Sequence, residues 1–111
     1  MAKKFFAAMI LALAIVITGG QASKAEAGEY YVGNYSDGTA VYLQTHRVRI
    51  RSYNPYSFEC VVRAGGDYLG YAFFPNNGSP YYRNSEGYEG FVFGGQSPVA
   101  ANIYRYVVNN Y

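Results

Sequence analysis

The sequence predicts an α+β protein, with a small antiparallel β-sheet of about five or six strands and one C-terminal helix. Two turn signals, Asp37-Gly38 and Gly65-Gly66, lie between runs of alternating apolar and polar residues, which is typical of β-hairpins. Ser97-Pro98 then precedes a segment whose apolar residues follow helical spacing. A small all-β barrel with a terminal helix is the alternative fold for the same pattern.

Residues 1–27 are predicted to be a cleaved signal peptide. Lys3 and Lys4 precede an uncharged apolar run over residues 5–18, and the segment ends in small residues up to Ala27. Cleavage is expected after Ala27, with Ala22 as the alternative. The alternative is an uncleaved membrane anchor, against which the run is short and is followed by small residues. Cleavage removes the run, so we expect no stable membrane span after it. The protein is then exported, whether periplasmic, at the cell surface or secreted.

Residues 28–111 are predicted to form a single exported, β-rich domain. Six arginines and six acidic residues give this part a formal net charge of zero, so its charge does not favour a nucleic-acid partner. All 14 tyrosines lie here. Cys60 is the one cysteine of the sequence, which excludes an internal disulfide.

The first hairpin is predicted around Asp37-Gly38. If these residues form a two-residue turn, Val32 faces Leu43 and Gly33 faces Tyr42 across the two strands. Alternation then gives the two faces of the hairpin. The first face holds Val32, Val41 and Leu43, and the second holds Tyr31, Tyr35 and Tyr42.

The central hairpin is predicted around Gly65-Gly66. The pairing begins with Ala64 opposite Asp67 and continues outward to Phe58 opposite Phe73. One face of this hairpin is then apolar throughout, and the other mixes charged and small residues. The apolar face holds Phe58, Cys60, Val62, Leu69, Tyr71 and Phe73, and the mixed face holds Glu59, Val61, Arg63, Tyr68, Gly70 and Ala72.

An arginine stripe is predicted between these hairpins. Three arginines alternate with Val48 and Ile50, so on a strand they occupy one face. This pattern indicates an anion-binding surface with two tyrosines beside it for stacking, or a solvated strand face that discourages aggregation. The residues concerned are Arg47, Arg49, Arg51, Tyr53 and Tyr56.

A second group of candidate binding residues follows. Residues 75–80 are predicted to form a turn, and residues 88–93 a short strand. Tyrosines among Gly, Asn and Ser are typical of binding loops, although tyrosines that cap sheet edges give the same pattern. The candidates are Tyr81, Tyr82, Arg83 and Tyr88.

The C-terminal helix is predicted from about Pro98 to Asn109, with Ser97 as its N-cap. Its apolar positions should pack across the apolar face of the central hairpin. Those positions are Val99, Ile103, Tyr106 and Val107, and the residues beneath them are Phe58, Val62, Leu69 and Phe73.

The sequence predicts no catalytic residue, no metal site and no cofactor. His46 is the one histidine, and neither Cys nor carboxylates cluster at ligand spacing. A nucleophile pair of Cys60 with His46 is conceivable, but Cys60 shares its strand face with apolar residues.

Both ends of the domain resemble the bacterial surface-adhesin protein E-like domains. The opening shares Tyr30-Tyr31-Val32-Gly33 and Ser36-Asp37-Gly38 before Val41-Tyr42-Leu43, and the ending shares Ser97 before Ala100, Ile103, Tyr106 and Val107. The resemblance implies a small antiparallel sheet with a C-terminal helix, a role at the cell surface in adhesion to host matrix proteins, and no catalytic residue.

We therefore expect an exported binding or adhesion-type module for a protein or glycan ligand outside the cytoplasm. The first alternative is a self-associating envelope protein that forms a homodimer. The second, which the residue pattern supports less, is a hydrolase or a hydrolase inhibitor.

Overall fold

A computed structural model describes residues 26–111, which form a curled sheet of six antiparallel strands with one helix packed on its inner side. The strands follow one another across the sheet in chain order. This half-barrel with a terminal helix confirms the predicted α+β class. The elements are β1 Glu29–Asn34, β2 Ala40–Tyr53, β3 Tyr56–Ala64, β4 Asp67–Asn76, β5 Ser79–Asn84, β6 Glu89–Phe91 and α1 Pro98–Asn110.

The predicted signal peptide lies, except for its last two residues, outside the described residues. Within residues 26–111, no helix is long and apolar enough to cross a membrane.

The central hairpin has the predicted register. Ala64 faces Asp67, and the pairs continue through Val62 and Leu69 to Phe58 and Phe73. Gly65 has a φ of 65°, the left-handed conformation that a tight turn requires and glycine adopts freely. The apolar face of the hairpin turns towards α1 and is here called the inner face; the opposite side is the outer face.

The predicted register of the first hairpin is wrong. Tyr30, not Val32, faces Leu43, and Gly33 faces Val41 instead of Tyr42, with a register shift between Tyr31 and Gly33. The shift has two causes: the strands are joined by the five residues 35–39, and Val32 is an extra residue on β1.

The extra residue on β1 lets α1 approach the strand. The Asn102 Nδ2 amide donates a hydrogen bond of 2.9 Å to the carbonyl oxygen of Val32. A Cβ on Gly33 would lie 3.3 Å from that nitrogen, so a glycine at position 33 leaves room for the helix. The bulge therefore joins the first strand to the helix.

The long strand β2 bends in its middle. Leu43 faces Val62 and Val48 faces Cys60, so residues 44–47 of β2 lie opposite Val61 alone. The Thr45 amide and hydroxyl both donate to the Gly28 carbonyl oxygen, at 2.9 and 3.0 Å. Arg47 is the last residue of this bend, and Arg49 and Arg51 follow it on the outer face.

The turn predicted over residues 75–80 is shorter than expected. Strand β4 continues to Asn76, which pairs with Ser79, so Asn77 and Gly78 alone form the turn. Both have positive φ, 56° and 82°, which is the signature of a primed hairpin turn. Asn-Gly accounts for this geometry, and the prolines lie within the flanking strands.

The core lies between the inner face and α1. Ser97 caps the helix, its Oγ accepting a hydrogen bond of 3.1 Å from the Ala100 amide. Phe58 and Phe73 stack with ring centres 4.6 Å apart. Three of the four residues predicted for the helix face, Val99, Ile103 and Val107, are fully buried in the same apolar cluster. The fourth, Tyr106, is partly buried and stacks on Tyr30 of β1, with ring centres 4.0 Å apart.

Cys60 lies in this core, as its position on the apolar strand face predicts. It is 3% exposed, and burial raises the pKa of its thiol to about 12. A thiol with that pKa is protonated at neutral pH, so it behaves as a small apolar side chain.

Candidate functional site

The outer face carries a shallow groove of about 740 Å³ across strands β2–β5, here called the outer groove. Its floor is made of small side chains, those of Val61, Gly70 and Ala72. One wall holds His46, Arg47 and Arg49, and the other holds Arg83, Asn84 and Ser85.

The groove exists because its floor lacks large side chains. Gly70 has no side chain, and a Cβ built there would meet nothing within 4 Å. In the next row across the sheet, Ala72 lies between Glu59 on β3 and Arg83 on β5. The long side chains at the two ends of this row therefore stand above a low centre.

The backbone beneath the groove is already paired. Ser85 closes β4 at Gly70: the Gly70 amide donates to the Ser85 Oγ at 3.0 Å, and the Ser85 amide donates to the Gly70 carbonyl oxygen at 2.9 Å. With neighbouring strands on both sides of β3 and β4, a ligand in the groove meets side chains.

Two of the groove arginines lack a carboxylate partner. Arg51 contacts Glu59 at 3.2 Å and Arg83 contacts Glu89 at 3.1 Å. Among residues 26–111, no carboxylate pairs with Arg47 or Arg49. Both are exposed. The groove therefore offers two uncompensated positive charges on one wall.

The other end of the outer face is closed by an ion pair. The Arg63 Nε and Nη2 donate to the two carboxylate oxygens of Glu29, both at 2.7 Å, and the Gln44 amide donates to the same carboxylate at 2.8 Å. The Arg63 guanidinium lies 4.8 Å from the ring centre of Tyr42, which is buried although it is on the outer face. We call Glu29, Arg63, Gln44 and Tyr42 the closed cluster.

The closed cluster changes the titration of its members. The Arg63 hydrogen bonds, against the opposing effect of desolvation, lower the pKa of Glu29 to about 2. The same bonds raise the pKa of Arg63. Only 5% of the Glu29 side chain and 22% of the Arg63 side chain are exposed. The charged groups of this cluster therefore bind one another.

The predicted arginine stripe is formed, but only one of its two tyrosines is exposed. Arg47, Arg49 and Arg51 are exposed on the outer face, while Val48 and Ile50 pack against the core. Tyr53 is 60% exposed at the end of β2. Tyr56 packs against the core, and its hydroxyl donates to the Val108 carbonyl oxygen at 3.4 Å. Tyr56 therefore lies on the helix side, away from the stripe.

The second predicted group is divided between the two faces. Tyr81 and Arg83 are on the outer face, where Tyr81 packs between Phe74 and Phe91, with ring centres 5.6 and 4.9 Å away. Tyr82 pairs with Phe73 and is 5% exposed in the core. Tyr88 is 56% exposed in the loop between β5 and β6. These four residues do not form one surface, because three of them alternate along a strand.

The predicted aromatic face of the first hairpin is also divided. Tyr31 and Tyr42 are on the outer face, with ring centres 5.6 Å apart. Tyr35 is on the inner side, where its hydroxyl lies 2.7 Å from that of Tyr71. The prediction that Tyr35 shares a face with Tyr42 is therefore wrong. Tyr35 follows the last residue of β1, so strand alternation does not apply to it.

The floor of the outer groove was not recognised from the sequence. The predicted register already placed Val61 opposite Gly70 and Glu59 opposite Ala72, so a row of small residues beside the arginine stripe was the available signal. Within residues 26–111, no three or more His, Cys, Asp or Glu side chains come together to hold a metal ion.

Comparisons with protein-family models, with curated proteins and with solved structures found no match. The resemblance to the surface-adhesin protein E-like domains stays a prediction from the sequence.

Proposed function

We propose that this protein is an exported, non-catalytic binding module that holds an acidic polysaccharide in the outer groove. The observation that carries the proposal is the pair Arg47 and Arg49, exposed on one wall without a carboxylate partner, above a floor of small residues. Export itself rests on the predicted signal peptide.

The charge of the groove favours an anionic ligand. A guanidinium group donates paired hydrogen bonds to the two oxygens of a carboxylate or sulfate group, and it keeps its charge at every physiological pH. Arg47 and Arg49 are two residues apart on one strand, so their side chains stand about 7 Å from each other along the groove. That spacing suits a chain molecule with repeating negative groups.

The paired backbone favours a glycan over an extended peptide. Peptides that bind sheets commonly add a strand at an open edge, where free N–H and C=O groups are available. The floor strands of the outer groove, β3 and β4, have a neighbouring strand on both sides, so the floor offers side chains alone. A polysaccharide needs no backbone partner, and its sugar rings can lie on the low floor.

The test measures binding of polygalacturonate, an acidic polysaccharide, to the protein purified after export of the full chain. We expect binding that weakens as salt is added, since exposed charges are screened. Arg49→Gln should lower the affinity about tenfold, because it removes a charged hydrogen-bond donor from the wall.

Arg105→Gln is the matched control. It removes the same charge from an exposed position on α1, outside the groove. If the two variants lose affinity equally, attraction by net charge accounts for the binding and the groove does not. If neutral dextran binds as well as polygalacturonate, the arginines are not the recognition element.

A self-associating envelope protein is the second candidate. Phe91 and Phe93 are 39% and 53% exposed at and beside β6, the short edge strand of the sheet. Burying these rings between two copies would favour a dimer. Light scattering at micromolar concentration tests it, and a strict monomer there removes this candidate.

A further inference from the structure

A second cavity, of about 380 Å³, lies on the helix side of the sheet and is here called the end pocket. It is bounded by the loop after β1, the loop between β5 and β6, and the first turn of α1. Its lining combines tyrosine rings with polar groups, among which Glu86 carries a charge. The lining residues that bear on ligand binding are Tyr35, Tyr71, Tyr82, Tyr88, Asn84 and Gln96.

The tyrosines supply ring faces and hydroxyl groups. Tyr71 and Tyr82 are stacked with ring centres 6.0 Å apart, and the hydroxyls of Tyr35 and Tyr71 lie 2.7 Å from each other. Desolvation raises the pKa values of Tyr35 and Tyr71, so both hydroxyls stay protonated and can donate as well as accept.

The rim of the pocket is held in place by its own hydrogen bonds. The Asn84 Oδ1 accepts from the amides of Glu86 and Tyr88, both at 3.0 Å. The Tyr88 carbonyl oxygen in turn accepts from the Asn84 amide at 2.9 Å. These bonds fix the loop that carries Tyr88, whose ring is 56% exposed beside the cavity.

Gln96 reaches the pocket because position 90 is glycine. A Cβ on Gly90 would lie 2.0 Å from the Gln96 Oε1, a distance at which the amide would have to move. Gly90 is buried in β6, so its lack of a side chain provides the space for that amide. Two features therefore hold the pocket in shape: the hydrogen bonds of Asn84 in the loop between β5 and β6, and the packing of Gln96 on Gly90.

From this lining we infer that the end pocket binds an uncharged pyranose sugar. Tyrosine rings pack against the apolar faces of a sugar, and amide and hydroxyl groups pair with its hydroxyls. Glu86 is the acidic residue of the lining. Its carboxylate can accept hydrogen bonds from the hydroxyls of a neutral sugar and would repel an anionic one. The volume falls within the range of about 300–1,000 Å³ typical of small-molecule sites.

This inference does not depend on the proposed function. Tyr71 and Asn84 border both cavities, but the end pocket opens on the helix side and the outer groove on the opposite face, and they select ligands of different charge. Tyr88 lines the end pocket alone and Arg49 lines the outer groove alone, so a variant of either residue tests one site. In particular, Arg49→Gln should leave pyranose binding unchanged.

The test titrates the protein, purified after export of the full chain, with glucose, N-acetylglucosamine and glucuronate. Calorimetry gives the dissociation constants, and because the chain has no tryptophan, tyrosine fluorescence is a second signal, to which four pocket residues among the 14 tyrosines contribute. We expect at least one neutral sugar to bind, and glucuronate to bind about tenfold more weakly than glucose.

Tyr88→Ala should weaken sugar binding about tenfold, because it removes the exposed ring at the rim. Tyr68→Ala is the matched control: Tyr68 is 59% exposed, close to the 56% of Tyr88, but lies on the outer face. Ser36→Phe, at an exposed position of the lining, should fill the pocket and abolish binding while the thermal unfolding stays that of a folded protein.

Three results would overturn the inference. The first is that no sugar of the panel binds at concentrations up to about 10 mM, tenfold above a weak 1 mM constant. The second is equal affinity in Tyr88→Ala and Tyr68→Ala. The third is unchanged binding in a folded Ser36→Phe protein.

Discussion

The two ends of the outer face use arginine in opposite ways. At one end Arg63 donates two hydrogen bonds of 2.7 Å to Glu29 and covers the ring of Tyr42, and both ion-pair side chains are largely buried. At the other end Arg47 and Arg49 are exposed and have no carboxylate partner among the described residues. On the same face of the sheet, Arg63 thus has a structural role, whereas Arg47 and Arg49 are free to contact a ligand.

The difference follows from what lies across the strands. Arg63 is on β3 opposite Tyr42 of β2, and β2 pairs on its other side with β1, which carries Glu29. Arg63 therefore reaches across β2 to a carboxylate and lies over an aromatic ring. Arg49 faces Glu59, but Glu59 is held by Arg51. Charge compensation, rather than residue type, therefore decides which arginines can recognise a ligand.

The largest expected effect is on stability, at the closed cluster. Arg63→Met should lower the free energy of unfolding by about 3 kcal/mol, because it leaves the buried Glu29 carboxylate without its partner. Urea unfolding measures the change. In the double variant Arg63→Met with Glu29→Gln most of the loss should be recovered, since no unpaired charge remains. A loss below about 1 kcal/mol in Arg63→Met would mean that this arginine is as dispensable as an exposed one.

The next effect is a dependence of stability on acid pH. The pKa of Glu29 is lowered in the folded protein from 4.5 to about 2, so its contribution is fully present above pH 4.5. It is lost as the pH falls through the folded-state value, and it amounts to about 3 kcal/mol at most. The comparison is between urea unfolding of the wild type and of Glu29→Gln from pH 5 to pH 2. The stability gap between them should shrink as the pH falls, and a gap that stays constant contradicts the pKa.

The smallest effect on stability is expected at the open end of the outer face. The double variant Arg47→Gln with Arg49→Gln should change the free energy of unfolding by less than about 0.5 kcal/mol, because exposed, unpaired side chains contribute little. The same variant should lose polygalacturonate binding. Destabilisation as large as that of Arg63→Met would show that these arginines are structural, and the contrast between the two ends would disappear.

The sequence was sufficient to predict strand register where apolar and polar residues alternate regularly along both strands of a hairpin. In the central hairpin the six side chains predicted for the apolar face are all buried on the inner face, and the predicted register holds from Ala64 opposite Asp67 to Phe58 opposite Phe73. A slip by one residue would place those side chains in water, so the pattern allowed one register. The helix was equally well marked by Ser97 and Pro98.

The sequence was not sufficient to predict strand register, or the contacts that depend on it, where the backbone departs from regular strand pairing. The bulge at Val32 and the five-residue connection after β1 shift the first hairpin, and neither has a distinct residue pattern. Glu29 and Arg63 are 34 residues apart in the sequence and on different strands. Their contact depends on the shifted register, because that register places Glu29 opposite Gln44. The outer groove depends likewise on small residues of two strands aligned across the sheet. The end pocket combines two loops and the helix start, whose relative positions no local pattern specifies.

NMR tests the central claim most directly. The claim is that the acidic polysaccharide binds in the outer groove and not at the arginines outside it. Backbone amide signals of the ¹⁵N-labelled protein are followed as short oligogalacturonates are added. The account predicts that the signals that move belong to Arg47, Arg49, Val61, Gly70 and Arg83, while those of Arg63 and Arg105 stay in place. Shifts spread evenly over all six arginines, or confined to the neighbourhood of Arg63 or Arg105, would contradict it.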